Sequence, residues 1–567
     1  MRRERSADQE HPTSQEHPTG QGRPTDQGMG DRGLPRRTLL RAGAVTGLGA
    51  AGAVTALAGG SPVLAAEGAT GRGGTSASGA GAAGQAGGAG STLEFGRGGA
   101  GGSVASSLAD AHRAALTNLF DVNTVPYDPA TYDRTGLMSD PPGVFIRAGG
   151  GYEQPWTRDA SVNTWNAASS LSPGPARNTL WSVVDRQDDG SLIVLQDNQW
   201  WDQIIWAVAA WHHYRVTGDR AFLTDAYATA VHTLRRNRAE HYNARYGLFE
   251  GPAFMQDGIA GYPSPPYDPD NDSSFVLDHP DTDKLMSLST NCLYHAGYLA
   301  CAAMAEEKGE RREAAKLRAE AARLRRTVNA RLWRPEAGTY GYFLHGIGER
   351  VGRLEPYEEA GGLALAVLCG VASPAHTRSV LARTHREPHG VVNVWPHFPR
   401  FDDAHPGRHN VTVWPMVVAM WGHAAAAGGR TDLLAEALKD VAGLVAGDGH
   451  FWELYNARSG APDGGWQVGH AWDSQPDQTW SATGCLRMIH RGLFGIRHER
   501  TGLRLTPSLP SGWGPVTLRG FPYRRAVLDI TLEGAGRRVT SATMDGHRLR
   551  TVPADLRGRH RIRVELA

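Results

Sequence analysis

The chain of 567 residues holds only four cysteines, Cys292, Cys301, Cys369 and Cys485, and none of them stands in a CxxC pair. That spacing excludes a zinc knuckle and a disulfide-stapled scaffold, so the cysteines are expected to be small buried apolar side chains. Net charge is also missing: 59 Lys plus Arg against 58 Asp plus Glu leave +1. A balance this even gives no electrostatic footing to nucleic acid as a partner. The mild apolar run Ala42 to Leu57 is rich in Gly and Ala, shorter and less apolar than the ~20 residues of a spanning helix. Nor is there a Ser-centred nucleophile elbow, an HExxH or a phosphate-cradling glycine loop. Asp268-Pro269-Asp270-Asn271-Asp272 lacks the Gly and the closing Glu of a calcium loop. No metal and no cofactor is expected.

What is present divides the chain into four parts. Residues 1–65 open with a polar, near-repetitive stretch, 1–33, expected to be disordered, followed by Pro35-Arg36-Arg37-Thr38-Leu39-Leu40-Arg41, the apolar run and a small-residue exit at Val63-Leu64-Ala65. A paired arginine before a weakly apolar run resembles a twin-arginine export signal, so the mature protein is expected to be secreted, with no membrane partner once the signal is removed. Residues 66–104 read as a flexible Gly/Ala/Ser linker that holds much of the excess among 71 glycines. Residues 105–495 carry about a dozen helical segments, the clearest at 105–120, 156–170, 196–217, 220–239, 285–308, 310–331, 357–370, 373–384, 409–427, 430–446 and 476–492. Charged amphipathic stretches such as GERREAAKLRAEAARLRRTV alternate with Trp/Ala-rich ones such as TVWPMVVAMWGHAAAA, the pattern of an outer ring of helices around an inner one. Residues 496–567 change period to short alternating runs broken by Gly, Pro and Asp, which predicts a small antiparallel β domain.

Sixteen tryptophans are unusual, because Trp is costly to expose and, beyond core packing, serves to stack on flat faces including those of sugars. Several stand in loops beside charged residues. Trp156-Thr157-Arg158-Asp159 opens a helix and offers a guanidinium fork beside a carboxylate, suited to vicinal hydroxyls, although a helix cap with a local ion pair has the same local sequence. Trp200-Trp201-Asp202 could form a platform with an acceptor, or be ordinary core. Tyr246 to Gly258 is a Gly/Pro-rich loop with two carboxylates, Glu250 and Asp257; a carboxyl beside apolar surface has its pKa raised, as a proton donor requires. His409 and Trp414 lie in RHNVTVWP, where a satisfied core histidine and a ligand contact read equally well. Glu453 sits between aromatics in Phe451-Trp452-Glu453-Leu454-Tyr455, ahead of Gln478-Thr479-Trp480-Ser481, where a base could hold water.

WTRDAS, HNVTVWP, WELY with its following Gly-Pro-Gly turn, and QTWSAT together resemble the six-hairpin (α/α)6-toroid glycosidases, the clan of glucoamylases, glycogen debranching enzymes and trehalases. TGDRAFL and the closing GLRLTPSLPSGWG…LRGFPYR are similar to its rhamnosidase and disaccharide-phosphorylase branches. The resemblance spans about 105–567 and implies a mainly α fold, an (α/α)6 toroid followed by a small β domain, and an oligosaccharide or polysaccharide substrate. The N-terminal β-sandwich of several branches is missing from this pattern. By position, Arg158 and Asp159 match the pair that binds terminal-sugar hydroxyls, and Glu453 matches the general base. Asp257 resembles the acid of trehalases and debranching enzymes, and Glu250 the Leu-Trp-Glu acid of glucoamylases; Asp257 is favoured. Inversion follows if the acid protonates the glycosidic oxygen while Glu453 deprotonates water on the opposite face, with carboxyls about 6.5–9.5 Å apart. Trp156, Trp201, Trp452 and Trp480 are then expected to bind apolar sugar faces, with Asp202, His409 and Trp414 beside them. The even charge balance and the glucoamylase-like residues lean towards a neutral, α-linked substrate. A phosphorylase, a polysaccharide lyase and a non-catalytic sugar-binding protein on the same toroid remain the alternatives.

Overall fold

A computed structural model describes residues 90–96, 102–138, 143–195, 199–264 and 266–567. All of them belong to the compact unit Ala80–Ala567. The expected export signal and most of the expected linker lie outside the described residues.

Among the described residues, twelve helices of two turns or more follow one another as α1 Gly102–Thr117, α2 Thr157–Asn163, α3 Pro173–Trp181, α4 Ile205–Thr217, α5 Arg220–His241 and α6 Leu288–Glu307. They continue as α7 Arg311–Arg331, α8 Ala360–Leu368, α9 Pro374–Arg383, α10 Pro415–Gly428, α11 Thr431–Val445 and α12 Thr479–Arg487. Two of them run on through π-helical turns, α2 through Thr164–Ala168 to Leu171 and α12 through Met488–Leu493. The even-numbered helices pack each on the next, and α12 closes on α2 and its π turn, so they form a complete inner ring. The odd-numbered helices lie outside it, α7 along α6 and α11 along α10, for example. Burial follows this division. Every residue of α10 from Pro415 to Ala426 is buried, whereas α7 buries only Ala314, Leu317, Ala321, Leu324 and Val328, a spacing of three and four that leaves its charged face wet. The dry and wet helices of the sequence are the inner and outer rings.

Helix starts differ from the sequence reading where capping chemistry decides. The segments expected from 196 and from 409 become helical only at Ile205 and at Pro415, the latter because Pro at the first helical turn loses no needed donor. Helix α3 went unread, since two prolines and a glycine in PGPARNTLW mimic a loop; here too Pro173 opens the helix. Asp219 caps α5 by accepting the Phe222 N–H at 3.0 Å. All four cysteines are free, three of them buried.

The C-terminal part is a six-stranded sheet in the order β1-β2-β3-β6-β4-β5. Its strands are β1 Thr92–Phe95, β2 Val516–Tyr523, β3 Arg525–Gly534, β4 Val539–Met544, β5 His547–Arg548 and β6 Arg557–Leu566. One expectation is corrected here. The reading of 66–104 as free linker fails at β1, whose Leu93 is buried and whose residues pair with β2 from Thr92↔Arg519 to Phe95↔Val516. A four-residue strand inside a glycine tract has no periodicity of its own and becomes legible only through its partner. The sheet is antiparallel except for one pair, β3 and β6, which run parallel over ten residues.

Because inner and outer helices alternate along the chain, the six inner helices run the same way and present their N-terminal ends at one mouth of the toroid. Turns from an inner to the next outer helix are short: 218–219 after α4, 308–310 after α6 and 429–430 after α10. Returns to the inner ring are long, 242–287 before α6, 384–414 before α10 and 446–478 before α12. Long loops over a rigid ring are where binding residues accumulate.

Candidate active site

The first turns of the inner helices and the return loops carry the chemistry. Helix α2 places Arg158 and Asp159, both buried, at its start. The turn before α4 places Asp202, that before α8 Glu359 and that before α12 Gln478, all buried. The loops contribute Asp257, Arg408 with His409, and Glu453.

Two charged groups form within this mouth. In one, Arg158 reaches Asp257 Oδ2 at 2.9 Å through Nη2 and Asp202 Oδ2 at 3.4 Å through Nη1. His409 Nε2 stands 3.6 Å from the other Asp257 oxygen, and His409 Nδ1 shares a hydrogen bond of 3.1 Å with Gln256 Oε1, which also accepts from Asn393. In the second, Arg408 pairs with Glu453 Oε2 and is anchored by the Gly464 and Asp473 carbonyls at 3.0 and 3.2 Å. Tyr152 donates to Glu453 Oε1 at 3.3 Å. The two groups meet through consecutive residues, since Arg408 holds Glu453 and His409, next in the chain, stands beside Asp257.

Burial and charge set the ionisation. Burial pushes the Asp159 carboxyl up to about 8 despite Arg158 beside it, and Asp202 up to about 7 for the same reason. Glu359, buried and accepting from the Ser289 N–H, rises to about 8. Asp257 goes the other way. Burial would raise it, but Arg158 and then His409 outweigh that and hold it at about 2. Burial lowers His409 itself to about 3, so near neutrality the imidazole is uncharged and Arg158 is the charge that keeps Asp257 ionised. The expectation that the acid's pKa is raised by its surroundings is therefore corrected.

Backbone geometry explains how the loops bring these groups together. Met255 adopts φ 75°, a left-handed conformation unfavourable for a side-chain-bearing residue, two positions before Asp257. A Cβ on Gly258 would lie 2.4 Å from both Gln467 Oε1 and the His409 ring, so only glycine lets the Asp257 loop approach. Gly465, at φ 67°, lies under Arg408, where a Cβ would meet its Cα at 2.6 Å.

The expected site residues separate accordingly. Arg158, Asp159, Asp257, His409 and Glu453 converge. Trp480 and Trp414 are buried beneath them: Arg158 lies over the Trp480 ring at 5.4 Å, and Trp414 lies 5.0 Å from His409 and 5.8 Å from Trp480. Trp156 stays partly exposed at the start of α2, and Trp452 is half-buried with its N–H donated to Asp448 at 2.8 Å. Three expectations are corrected. Glu250 does not join the site; it pairs with Lys284 at 3.1 Å and accepts from Asn243 at 2.8 Å. Trp201 is fully buried in a cluster with Tyr262 and Phe343, so it offers no face to a sugar. Asp202 is 0 % exposed and neither of its oxygens has a hydrogen-bond donor, so it acts through Arg158 rather than on a ligand. Tyr152, Arg408 and Gln256 were not expected as site residues. Arg408 adjoins His409, and Gln256 adjoins Asp257, but Tyr152 carried no signal beyond the Gly149-Gly150-Gly151 run before it.

The model of the mannosylglycerate hydrolase MGH1-like glycoside hydrolase domain matches residues 156–481, from the first turn of α2 to α12. The chain belongs to this family of glycoside hydrolases. The match begins and ends on the inner ring and contains Asp257, Arg408 and Glu453. No curated protein matches the chain. Among solved structures, one described as a sialidase is 13% identical with a TM-score of 0.55, covering 76% of this chain. This chain spans only 37% of that structure's length, so the likeness is one of fold. A GH63 mannosylglycerate hydrolase from Thermus thermophilus in complex with Tris is 18% identical, covering 61% of this chain and 96% of its own, with a TM-score of 0.47. A GH78 rhamnosidase of Bacillus sp. GL1 is 16% identical over 84% of this chain and 44% of its own, also at 0.47. The glycoside hydrolase domain implies a carbohydrate substrate.

Proposed function

We propose that the protein is an exported, inverting glycoside hydrolase that removes a neutral, α-linked sugar from an oligosaccharide or glycan end, with Asp257 as general acid and Glu453 as general base. The observation that carries the reading is a pair of carboxylates, 196 positions apart in the chain, each held by its own arginine and joined through the consecutive Arg408 and His409. Arg408 and Tyr152 keep Glu453 aimed at a water, and deprotonation of that water drives attack on the anomeric carbon. Asp257 rests ionised against Arg158, so it becomes a donor only when an entering sugar draws Arg158 onto its hydroxyls. Asp159 and Asp202, protonated near neutrality, hold the proton that the carboxylate group then shares. Neutrality of the substrate is supported by the even charge balance of the chain and by Arg408, whose guanidinium is already engaged by Glu453. Export rests on the paired Arg36 and Arg37 and the apolar run after them.

The test combines a panel of aryl glycosides and oligosaccharides, mannosylglycerate included, with NMR of the first product. One substrate is expected to release its sugar with inverted anomeric configuration. Glu453→Gln and Asp257→Asn are each expected to lower turnover by about 10²–10⁴-fold or more with unchanged melting, while Glu250→Gln keeps activity. Retention of configuration, or full activity in Asp257→Asn, overturns the assignment.

A further inference from the structure

His409 stands beside Asp257 and has no part in the steps above. It is buried in the loop before α10, and that loop is pinned next to it: Asn410 donates to the Val394 and Pro396 carbonyls at 3.0 and 3.1 Å and accepts the Phe398 N–H at 2.9 Å. The edge of the imidazole rests on the Asp257 loop. A Cβ at Gly258 would fall 2.4 Å from both Cδ2 and Nε2 of the ring, and one at Gly261 would fall 3.1 Å from the His409 Cβ. With the Trp414 ring 5.0 Å away on another side, the imidazole is held in one orientation.

Its two nitrogens meet different chemistry. Nδ1 lies 3.1 Å from Gln256 Oε1. That oxygen also takes the Asn393 side-chain N–H at 3.1 Å, and Asn393 Nδ2 is itself 3.5 Å from the His409 carbonyl, which orients the amide. Gln256 and Asn393 are both buried. An amide oxygen accepts and never donates, so the proton of the neutral imidazole is on Nδ1 and Nε2 presents a bare lone pair. Nε2 faces Asp257 Oδ1 at 3.6 Å, acceptor towards acceptor. The other oxygen, Oδ2, takes the Arg158 N–H at 2.9 Å. The two oxygens of Asp257 are therefore unequal. A proton on Oδ2 would meet a guanidinium that only donates. A proton on Oδ1 finds an acceptor, and closing the gap to about 2.8 Å makes a normal hydrogen bond.

We propose that His409 is a positioning residue for the acid: locked by Gln256 with Nε2 bare, it makes Oδ1 the oxygen of Asp257 that carries the proton delivered to the leaving sugar. The inference rests on Asp257 being the acid, and adds which atom delivers the proton and what steers it there. In the step, the Oδ1–H bond breaks and the glycosidic oxygen takes that proton together with the electron pair of its bond to the anomeric carbon. Glu453 takes a proton from the water whose oxygen bonds to that carbon. Nε2 then faces a bare carboxylate, as in the structure, until Asp257 regains a proton. The ring passes no proton on by itself, because its other nitrogen ends on an amide oxygen with no acidic hydrogen to hand over.

Two measurements on the full chain test it, and the first needs no substrate. In a deuterated chain with isotope-labelled histidine rings, the nitrogen NMR signals missing from His409→Asn are those of His409. Near neutrality they are expected to show a proton on Nδ1 and none on Nε2, and Gln256→Met is expected to shift the ring towards the Nε2–H form. A neutral ring with its proton on Nε2 in the unaltered chain overturns the proposal. The second measurement compares two glycosides of the sugar that the panel releases: an alkyl glycoside, whose leaving oxygen needs the proton, and a dinitrophenyl glycoside, which departs without one. His409→Asn is expected to lower kcat on the alkyl glycoside by about 10–10²-fold and to leave the dinitrophenyl glycoside within about twofold, with KM little moved. Where His409→Asn fails to fold, Gln256→Met, which alters neither ring nor carboxylate, supplies both the assignment and a weaker form of the same split. Equal losses on the two glycosides, with Asp257→Asn still inactive on the alkyl one, overturn this inference and leave the hydrolase reading standing. Full activity in Asp257→Asn ends the reading and the inference together.

Discussion

Arg158 and Asp159 adjoin in sequence and behave oppositely in the fold: one is a permanent cation, the other a carboxyl that burial keeps protonated to about 8. Between them they decide where the site's proton rests. Asp159 and Asp202 lose it only near pH 8 and 7, so above that range the carboxylate group has no proton to pass to the leaving oxygen. The alkaline limb of kcat/KM is therefore expected at about pH 7–8, and Asp202→Asn is expected to move it. A profile flat to pH 9 contradicts this sharing. At this scale, short motifs were informative because neighbours in sequence remain neighbours in space: Arg158 with Asp159 in the first turn of α2, or His409 beside Arg408 in the loop before α10. Tyr152 was not legible. Its partner Glu453 lies 301 residues away, and no local pattern announces such a contact.

Loops between helices do more than connect them. The Asp257 loop closes on His409 because position 258 has no side chain, and Gly258→Ala is expected to push Asp257 out of register with His409 and Gln467. Misplacement of about 1 Å at a reacting group is worth up to ~10²-fold in rate. Steady-state kinetics of Gly258→Ala should thus show kcat reduced by about one to two orders of magnitude, with the melting midpoint less affected. Strand β1 supplies a test of a different element. A chain beginning at Gly90 is expected to melt as the full chain does, and one beginning after Gly96 several degrees lower, because Leu93 and the pairing with β2 are lost. Equal midpoints would show that β1 contributes nothing. Helix periodicity was readable where one face is wet, as in α7. It misled where the turn residues of α3 imitate a loop, and it was silent at β1, where a strand of four depends on a neighbour more than four hundred residues away.

Stability of the whole molecule should pass through a maximum with pH. Asp159, Asp202 and Glu359 have folded-state values of about 8, 7 and 8, above the ordinary carboxylate value near ~4. Their contribution is present below ~4 and is lost as pH rises through 7–8. His112, at about 4, and His213, His409 and His498, at about 3, lie below the usual ~6.5. Theirs is complete above ~6.5 and is lost as pH falls. The two slopes meet near pH 6–7, and a melting midpoint measured from pH 4 to 9 is expected to peak there. A midpoint still climbing at pH 9 would show that the buried carboxyls are not protonated in the fold.

By itself, the sequence determined the ring of alternating wet and dry helices, the change of period at the C-terminal strands, and the family motifs around Arg158, His409 and Glu453. These are local properties: the spacing of apolar residues, the chemistry of caps and the composition of loops lie within a few turns of chain. Only the tertiary structure decided that Glu250 is claimed by Lys284, that Trp201 is core, and that Asp257 rests ionised against Arg158. Each of these depends on which distant side chain shares the same buried space, and burial converts that proximity into charge, orientation and pKa.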